Sequence, residues 1–118
     1  MTSYSKYKAR RESIDGYLFD SQAEAARYRE LKLLERAGQI RQLRVHPRYE
    51  IVVNGQKICV VEADFEFYDQ LEERMRVIDV KGLDLPISRL KRKLVKVVFA
   101  IEIEVEHSGR KRKRSRAT

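Results

Sequence analysis

Val60-Val61-Glu62-Ala63-Asp64-Phe65-Glu66-Phe67 and, after a polar interruption from Asp69 to Arg74, Arg76-Val77-Ile78-Asp79-Val80-Lys81-Gly82 form the stretch that decides the fold. β-Branched and aromatic residues dominate both halves, which predicts two strands joined by a turn. Side chains alternate across a strand, so Phe65, Phe67, Ile78 and Val80 point to one face as core residues. Asp64 points to the other face, and Asp79 and Lys81 share one face of the second strand. If the two strands pair, two carboxylates and an ammonium converge beside an apolar sheet. That arrangement is costly unless a metal ion or a charged substrate balances it.

The rest of the chain supplies a frame for this pair. Tyr49 to Val53 reads as a strand, Asn54-Gly55 as a two-residue hairpin turn, and Ile58 to Phe67 as the antiparallel return. Leu43 and Val45 alternate with charges in a further strand that Pro47 interrupts. Upstream, residues 1–17 look irregular, with Asp15-Gly16 as a turn. A helix starts at Asp20 or Ser21, where Ser21 and Glu24 fit a capping box, and runs to about Ala37 before Gly38 ends it. Tyr28 and Leu31 lie on the same stripe as Glu24, which places that acid near the buried face. Downstream, Pro86 opens a second helix in which Ile87, Leu90, Leu94 and Val97 are expected to form the buried face. Ala100 to Glu106 is the last strand, with Ile101, Ile103 and Val105 inward and Glu102, Glu104 and Glu106 outward. This order predicts an α+β fold, a mostly antiparallel sheet with a helix on each face.

A chain of 118 residues with 42% hydrophobic residues has room for one modest core. No apolar run of about 18 residues is present, so no membrane-spanning helix and no membrane partner are expected. Met1 to Lys6 lacks the apolar stretch of a signal peptide. A single cysteine, Cys59, leaves no intramolecular disulfide and no zinc cluster. The expected location is therefore cytoplasmic.

The net charge of +8 sits at the ends, which hold 10 of the 26 basic residues and none of the 18 acids. Lys6, Lys8, Arg10 and Arg11 lie at one end, and Arg110, Lys111, Arg112, Lys113, Arg114 and Arg116 at the other. The predicted organisation is a basic arm over 1–16, a globular domain over 17–107 and a basic disordered tail over 108–118. Two basic ends on a nearly neutral globule suit a polyanion, because each neutralised phosphate releases counterions. The second helix adds Arg89, Lys91, Arg92, Lys93 and Lys96, with no acid between Leu85 and Ala100.

Glu24, Asp64, Asp79 and Lys81 are the residues that carry chemistry. Carboxylate oxygens bind hard cations such as Mg²⁺, and a bound cation can activate water and offset charge on a phosphodiester. A lysine two residues from a metal-binding aspartate lies on the same strand face, where it can orient the attacking water. His46 and His107 look incidental. With Asp64, Asp79-Val80-Lys81 and helix residue Glu24, the sequence resembles the PD-(D/E)XK nuclease superfamily. Asp64 matches the motif's first acid, and Ala63 stands where the motif has proline. Phe19 to Glu24, Ala63-Asp64-Phe65, Ile78 to Gly82 and the basic Arg89 to Leu94 are most similar to phage endonuclease I-type Holliday-junction resolvases.

The resemblance covers roughly Tyr17 to Val105. It implies an αβββαβ restriction-endonuclease-like core and a phage or prophage origin, hence the bacterial host cytoplasm. It also implies Mg²⁺ or Mn²⁺ dependence, hydrolysis of phosphodiesters in branched DNA, and a homodimer. Carried over residue by residue, Glu24, Asp64 and Asp79 hold the metal and Lys81 assists the water. Glu50 and Glu62 are the candidates for a fourth acid. Lys6, Lys8, Arg10, Arg11, Arg89, Lys91, Arg92, Lys93 and Arg110 to Arg114 are the expected DNA-backbone contacts. The alternatives are a non-catalytic nucleic-acid-binding module, or a nuclease of the same chemistry on nicked, flapped or linear DNA.

Overall fold

The computed structural model describes residues 10–108. The chain opens with a hairpin of β1 (Glu12–Ile14) and β2 (Tyr17–Phe19), followed by helix α1 (Gln22–Arg36). Four strands come next: β3 (Ile40–Val45), β4 (Arg48–Val53), β5 (Gln56–Glu62) and β6 (Phe65–Asp69). Then follow β7 (Arg74–Lys81), helix α2 (Pro86–Phe99) and β8 (Ile103–His107). The central sheet has the order β3-β6-β7-β8. Its first two pairings are antiparallel, and β7 and β8 run parallel. The architecture is α+β, a mixed and mostly antiparallel sheet flanked by two helices, as expected.

The predicted return strand from Ile58 to Phe67 is in fact two strands, because the ribbon breaks at Ala63-Asp64. The opposite side breaks at His46-Pro47. His46 N–H donates to the Asp64 carbonyl (2.9 Å) and Ala63 N–H to the Pro47 carbonyl (3.0 Å), so the two breaks face each other. Beyond them β4 and β5 form a separate hairpin. Its Asn54-Gly55 turn has the positive φ values, 50° and 78°, that the sequence predicts.

Two cores lie on opposite faces of the sheet. On the α1 face, Ala25, Tyr28 and Leu31 pack on Phe19, Ile40, Phe65, Phe67 and Ile78. On the α2 face, Val95 covers Tyr49, Ile51, Val61, Ala63, Val77 and Ile103. Ser21 caps α1 as expected, and Glu24, Ala25, Tyr28 and Leu31 form its buried stripe.

Three other expectations are corrected. Residues 12–14 are not irregular but form β1, whose Ile14 packs against the α1 core. The tyrosine hydroxyl of Tyr28 donates to Asp15 (2.7 Å) and ties the hairpin to α1. The last strand starts at Ile103, since Ala100 takes a left-handed conformation (φ 59°) that ends α2. Glu104 and Glu106 are not simply outward: Arg76 holds Glu104 (2.7 and 3.1 Å) and Arg27 holds Glu106 (2.8 and 3.0 Å), each bidentate. Arg27 reaches Glu106 from α1 and Arg76 reaches Glu104 from β7, and in each pair a fork-shaped guanidinium satisfies a half-buried carboxylate.

The third correction concerns α2. Of its expected buried face only Leu94 packs, half-buried, on the sheet; Ile87 is 53%, Leu90 52% and Val97 75% accessible, whereas Val95 is 0%. At 100° per residue the two directions lie about a third of a turn apart. The helix turns Val95 to the sheet and Arg92 to Asp84, leaving Ile87, Leu90 and Val97 of the longer apolar stripe in water. Among the described residues no helix is long and apolar enough to cross a membrane.

Candidate metal centre

Strand direction gathers the functional residues at one end of the sheet. β6 starts there with Asp64 just before it, and β7 ends there with Asp79 and Lys81. β3 ends there too, releasing His46, and the first turn of α1 brings Glu24. The helix N-terminus places its partial positive charge beside these acids.

Glu24 is 7% accessible. Its backbone N–H donates to Ser21 Oγ (3.1 Å), and its own Oε1 accepts from the Asp20 amide (3.2 Å). The carboxylate therefore caps one residue earlier than a standard capping box would. The second oxygen, Oε2, remains free to face His46 Nε2 at 3.2 Å. Asp64 completes a trio, in which one ligand atom from each of Glu24, His46 and Asp64 lies within 4.8 Å of the others.

Asp64 and Asp79 interlock. Asp64 Oδ2 accepts from Val80 N–H (2.7 Å), and Asp79 Oδ1 accepts from Asp64 N–H (3.0 Å). Each acid thus accepts a backbone N–H from the strand end that carries the other, which fixes both. Lys81 Nζ sits 3.6 Å from Asp79 Oδ2. Asp79 is 5% accessible and stands beside the trio rather than within it.

The electrostatics follow from burial. Desolvation, then the hydrogen bond and charge of Glu24, push the Asp64 carboxyl up to about 7. Desolvation also raises Glu24, and desolvation followed by the charge of Asp64 raises Asp79. Three carboxylates with raised pKa values in one place strain to shed negative charge. A divalent cation relieves that strain better than one shared proton, and two carboxylates with an imidazole are a competent donor set for one.

The remaining expected residues divide clearly. Glu50 and Glu62 lie exposed on the β4–β5 hairpin in pairs with Lys57 (3.3 Å) and Arg48 (3.0 Å), away from the trio. Arg92 makes a bidentate pair with Asp84 (2.7 and 2.9 Å), and Arg89 donates to the Asp84 carbonyl (2.9 Å). Lys91 and Lys93 make no ion pair among the described residues. Arg11 lies 3.7 Å from Asp20, whose amide binds Glu24. At the other end, Ser108 N–H donates to the Lys81 carbonyl (2.9 Å). Both ends of the described chain therefore leave from the rim of the acid cluster. Lys6, Lys8, Arg110, Lys111, Arg112, Lys113 and Arg114 lie outside the described residues.

His46, which looks incidental in the sequence, is the residue that sequence reasoning missed. It is distant from both Glu24 and Asp64 along the chain, so no local motif flags it. The one available signal is Pro47, which ends the strand and lets the preceding side chain turn away.

Fold and site define an α+β protein with a Glu/His/Asp cluster able to hold a divalent ion, a nuclease-like combination. The chain belongs to the family described as "Protein of unknown function (DUF1064)", whose model matches residues 4–115. Comparison with curated proteins and with solved structures gave no match.

Proposed function

We propose that this protein is a metal-dependent, structure-selective DNA endonuclease, a Holliday-junction resolvase that hydrolyses phosphodiesters in branched DNA. The observation that carries this reading is the interlock of Asp64 and Asp79 beside Glu24, with Lys81 against Asp79. Glu24, Asp64 and Asp79 would hold Mg²⁺ or Mn²⁺, which supplies an activated water and offsets charge on the phosphate. Lys81, 3.6 Å from Asp79, would orient that water and balance the charge that builds on the phosphoryl oxygens.

Lys91, Lys93 and the two basic ends hold the backbone on either side. Contacts of this kind position DNA without reading its sequence, as shape recognition requires. The exposed stripe of Ile87, Leu90 and Val97 supports a homodimer, since an uncovered apolar helix face is a common protein contact. Two sites related by a twofold axis would cut two strands symmetrically.

The test uses a labelled four-way junction beside a linear duplex of matching sequence, with Mg²⁺, Mn²⁺ or EDTA. The expected result is paired, metal-dependent cuts in the junction alone, lowered at least about a hundredfold by Asp79→Asn and by Lys81→Ala. Cleavage of both substrates would sink junction selectivity and keep the nuclease. Tight binding without product under any metal would leave a binding module only.

A further inference from the structure

The metal trio contains an imidazole, and nothing in the carboxylate-and-lysine chemistry requires one. Among the described residues six other than glycine have positive φ. Asp15, Asn54 and Glu73 lie in turns, Gln42 at a register shift in β3, and Ala100 at the end of α2. His46, with φ 57°, instead lies at a kink between two strands of one ribbon. Its backbone is locked there by the bond from its N–H to the Asp64 carbonyl (2.9 Å). The kink turns its ring past Phe19 (centroids 5.7 Å apart) and brings Nε2 to 3.2 Å from Glu24 Oε2. The same residue that hydrogen-bonds the backbone of Asp64 thus offers its side chain to the carboxylate of Glu24.

We propose that His46 is a ligand of the metal held by Glu24 and Asp64, and that its nitrogen makes the site select Mn²⁺ and later first-row ions over Mg²⁺. This rests on the metal-dependent reading above and deepens it. Mg²⁺ prefers an all-oxygen shell and dehydrates reluctantly, so an imidazole adds little to its binding. Affinity for nitrogen donors rises along the first transition row, so the same imidazole adds progressively more for Mn²⁺ and Co²⁺.

The experiment needs no DNA. The metal-free full-length protein is titrated with MnCl₂, CoCl₂ and MgCl₂ by calorimetry, and the Mn²⁺-loaded protein is examined by electron spin-echo spectroscopy for nitrogen modulation. His46→Asn is the main variant, because asparagine tolerates the left-handed backbone and offers oxygen in place of the imidazole. His46→Gln is the second, and thermal melting confirms that each is folded.

The expected result is Mn²⁺ binding at least about tenfold tighter than Mg²⁺ in the unaltered protein, with nitrogen modulation. In both variants the modulation disappears and the Mn²⁺ preference shrinks to about threefold or less, while Mg²⁺ affinity stays within about threefold. Absent modulation, an unchanged preference in the variants, or no binding of either ion would overturn the proposal. Metal selection that behaves as stated in a protein that cleaves no DNA would leave His46 as a ligand and defeat only the nuclease reading.

Discussion

The two faces of the sheet are covered by helices of similar length but opposite character. On the α1 face an amphipathic helix buries one stripe, Ala25, Tyr28 and Leu31, against five aromatic and aliphatic strand residues. Its first turn also delivers Glu24 to the site. On the α2 face one valine is fully buried, and the apolar stripe of Ile87, Leu90 and Val97 stays in water. The first helix completes a core, whereas the second leaves a surface. A helix with one apolar face has one way to dock; a helix with apolar and cationic faces side by side has several, and packing chooses among them.

The largest expected difference between the faces is in stability. Leu31→Ala empties a fully buried position and is expected to lower unfolding free energy by about 2–5 kcal/mol. Val97→Glu, on the exposed stripe, is expected to change it by no more than about 0.5 kcal/mol at concentrations where the chain is monomeric. If the proposed homodimer forms through this stripe, the same change should shift it towards monomer in analytical ultracentrifugation. Equal destabilisation by the two variants would mean that α2 docks through the stripe after all.

A second contrast is in pH dependence, and it comes from the Asp64 carboxyl. Its pKa in the folded state is raised to about 7, whereas the unfolded chain releases the same proton near the usual carboxylate value of 3.8. Between those values the folded state holds a proton that the unfolded state has lost. Stability of the metal-free protein therefore falls as pH rises from about 4 to about 7, by at most about 1.4 kcal/mol per pH unit from this group. Asp69, Asp84 and Glu104, all held low by hydrogen bonds and arginine partners, work in the opposite direction and are common to both proteins compared. Urea unfolding in EDTA at pH 5 and pH 7.5 is expected to show a smaller loss in Asp64→Asn than in the unaltered chain. Identical losses would remove Asp64 as the group that strains the acid cluster.

The smallest effect concerns the two basic ends, which follow on from Arg11 beside Asp20 and from Ser108 bonded to the Lys81 carbonyl. Removing residues 109–118 takes away six cations and is expected to reduce the slope of log affinity against log salt by about 2–5, with metal binding untouched. An unchanged slope would mean that these residues do not touch phosphate.

Legibility differed by kind of signal. Asp64, Asp79 and Lys81 stood out because strand alternation alone puts Asp79 and Lys81 on one face. Glu24 was visible because the capping box and the apolar stripe point to the same residue. The Asn54-Gly55 turn and the ends of α1 follow from local backbone preference. The break at Ala63-Asp64 was hidden because the residues around it favour strands on both sides, and the kink arises from pairing with His46-Pro47.

By itself the sequence determined the helix, strands, helix, strand order that follows the first hairpin, the α1 stripe with Glu24, and the presence of Asp64, Asp79 and Lys81 on or beside the two central strands. These depend on spacing within one element, where backbone geometry leaves little choice. Only the tertiary structure decided which stripe of α2 meets the sheet, that Glu104 and Glu106 bind arginines, that both basic ends start at the rim of the site, and that His46 joins Glu24 and Asp64. Each of those joins residues far apart in the chain. Such contacts are selected by the collective packing of the core and by the need to satisfy buried charge, which no local pattern encodes.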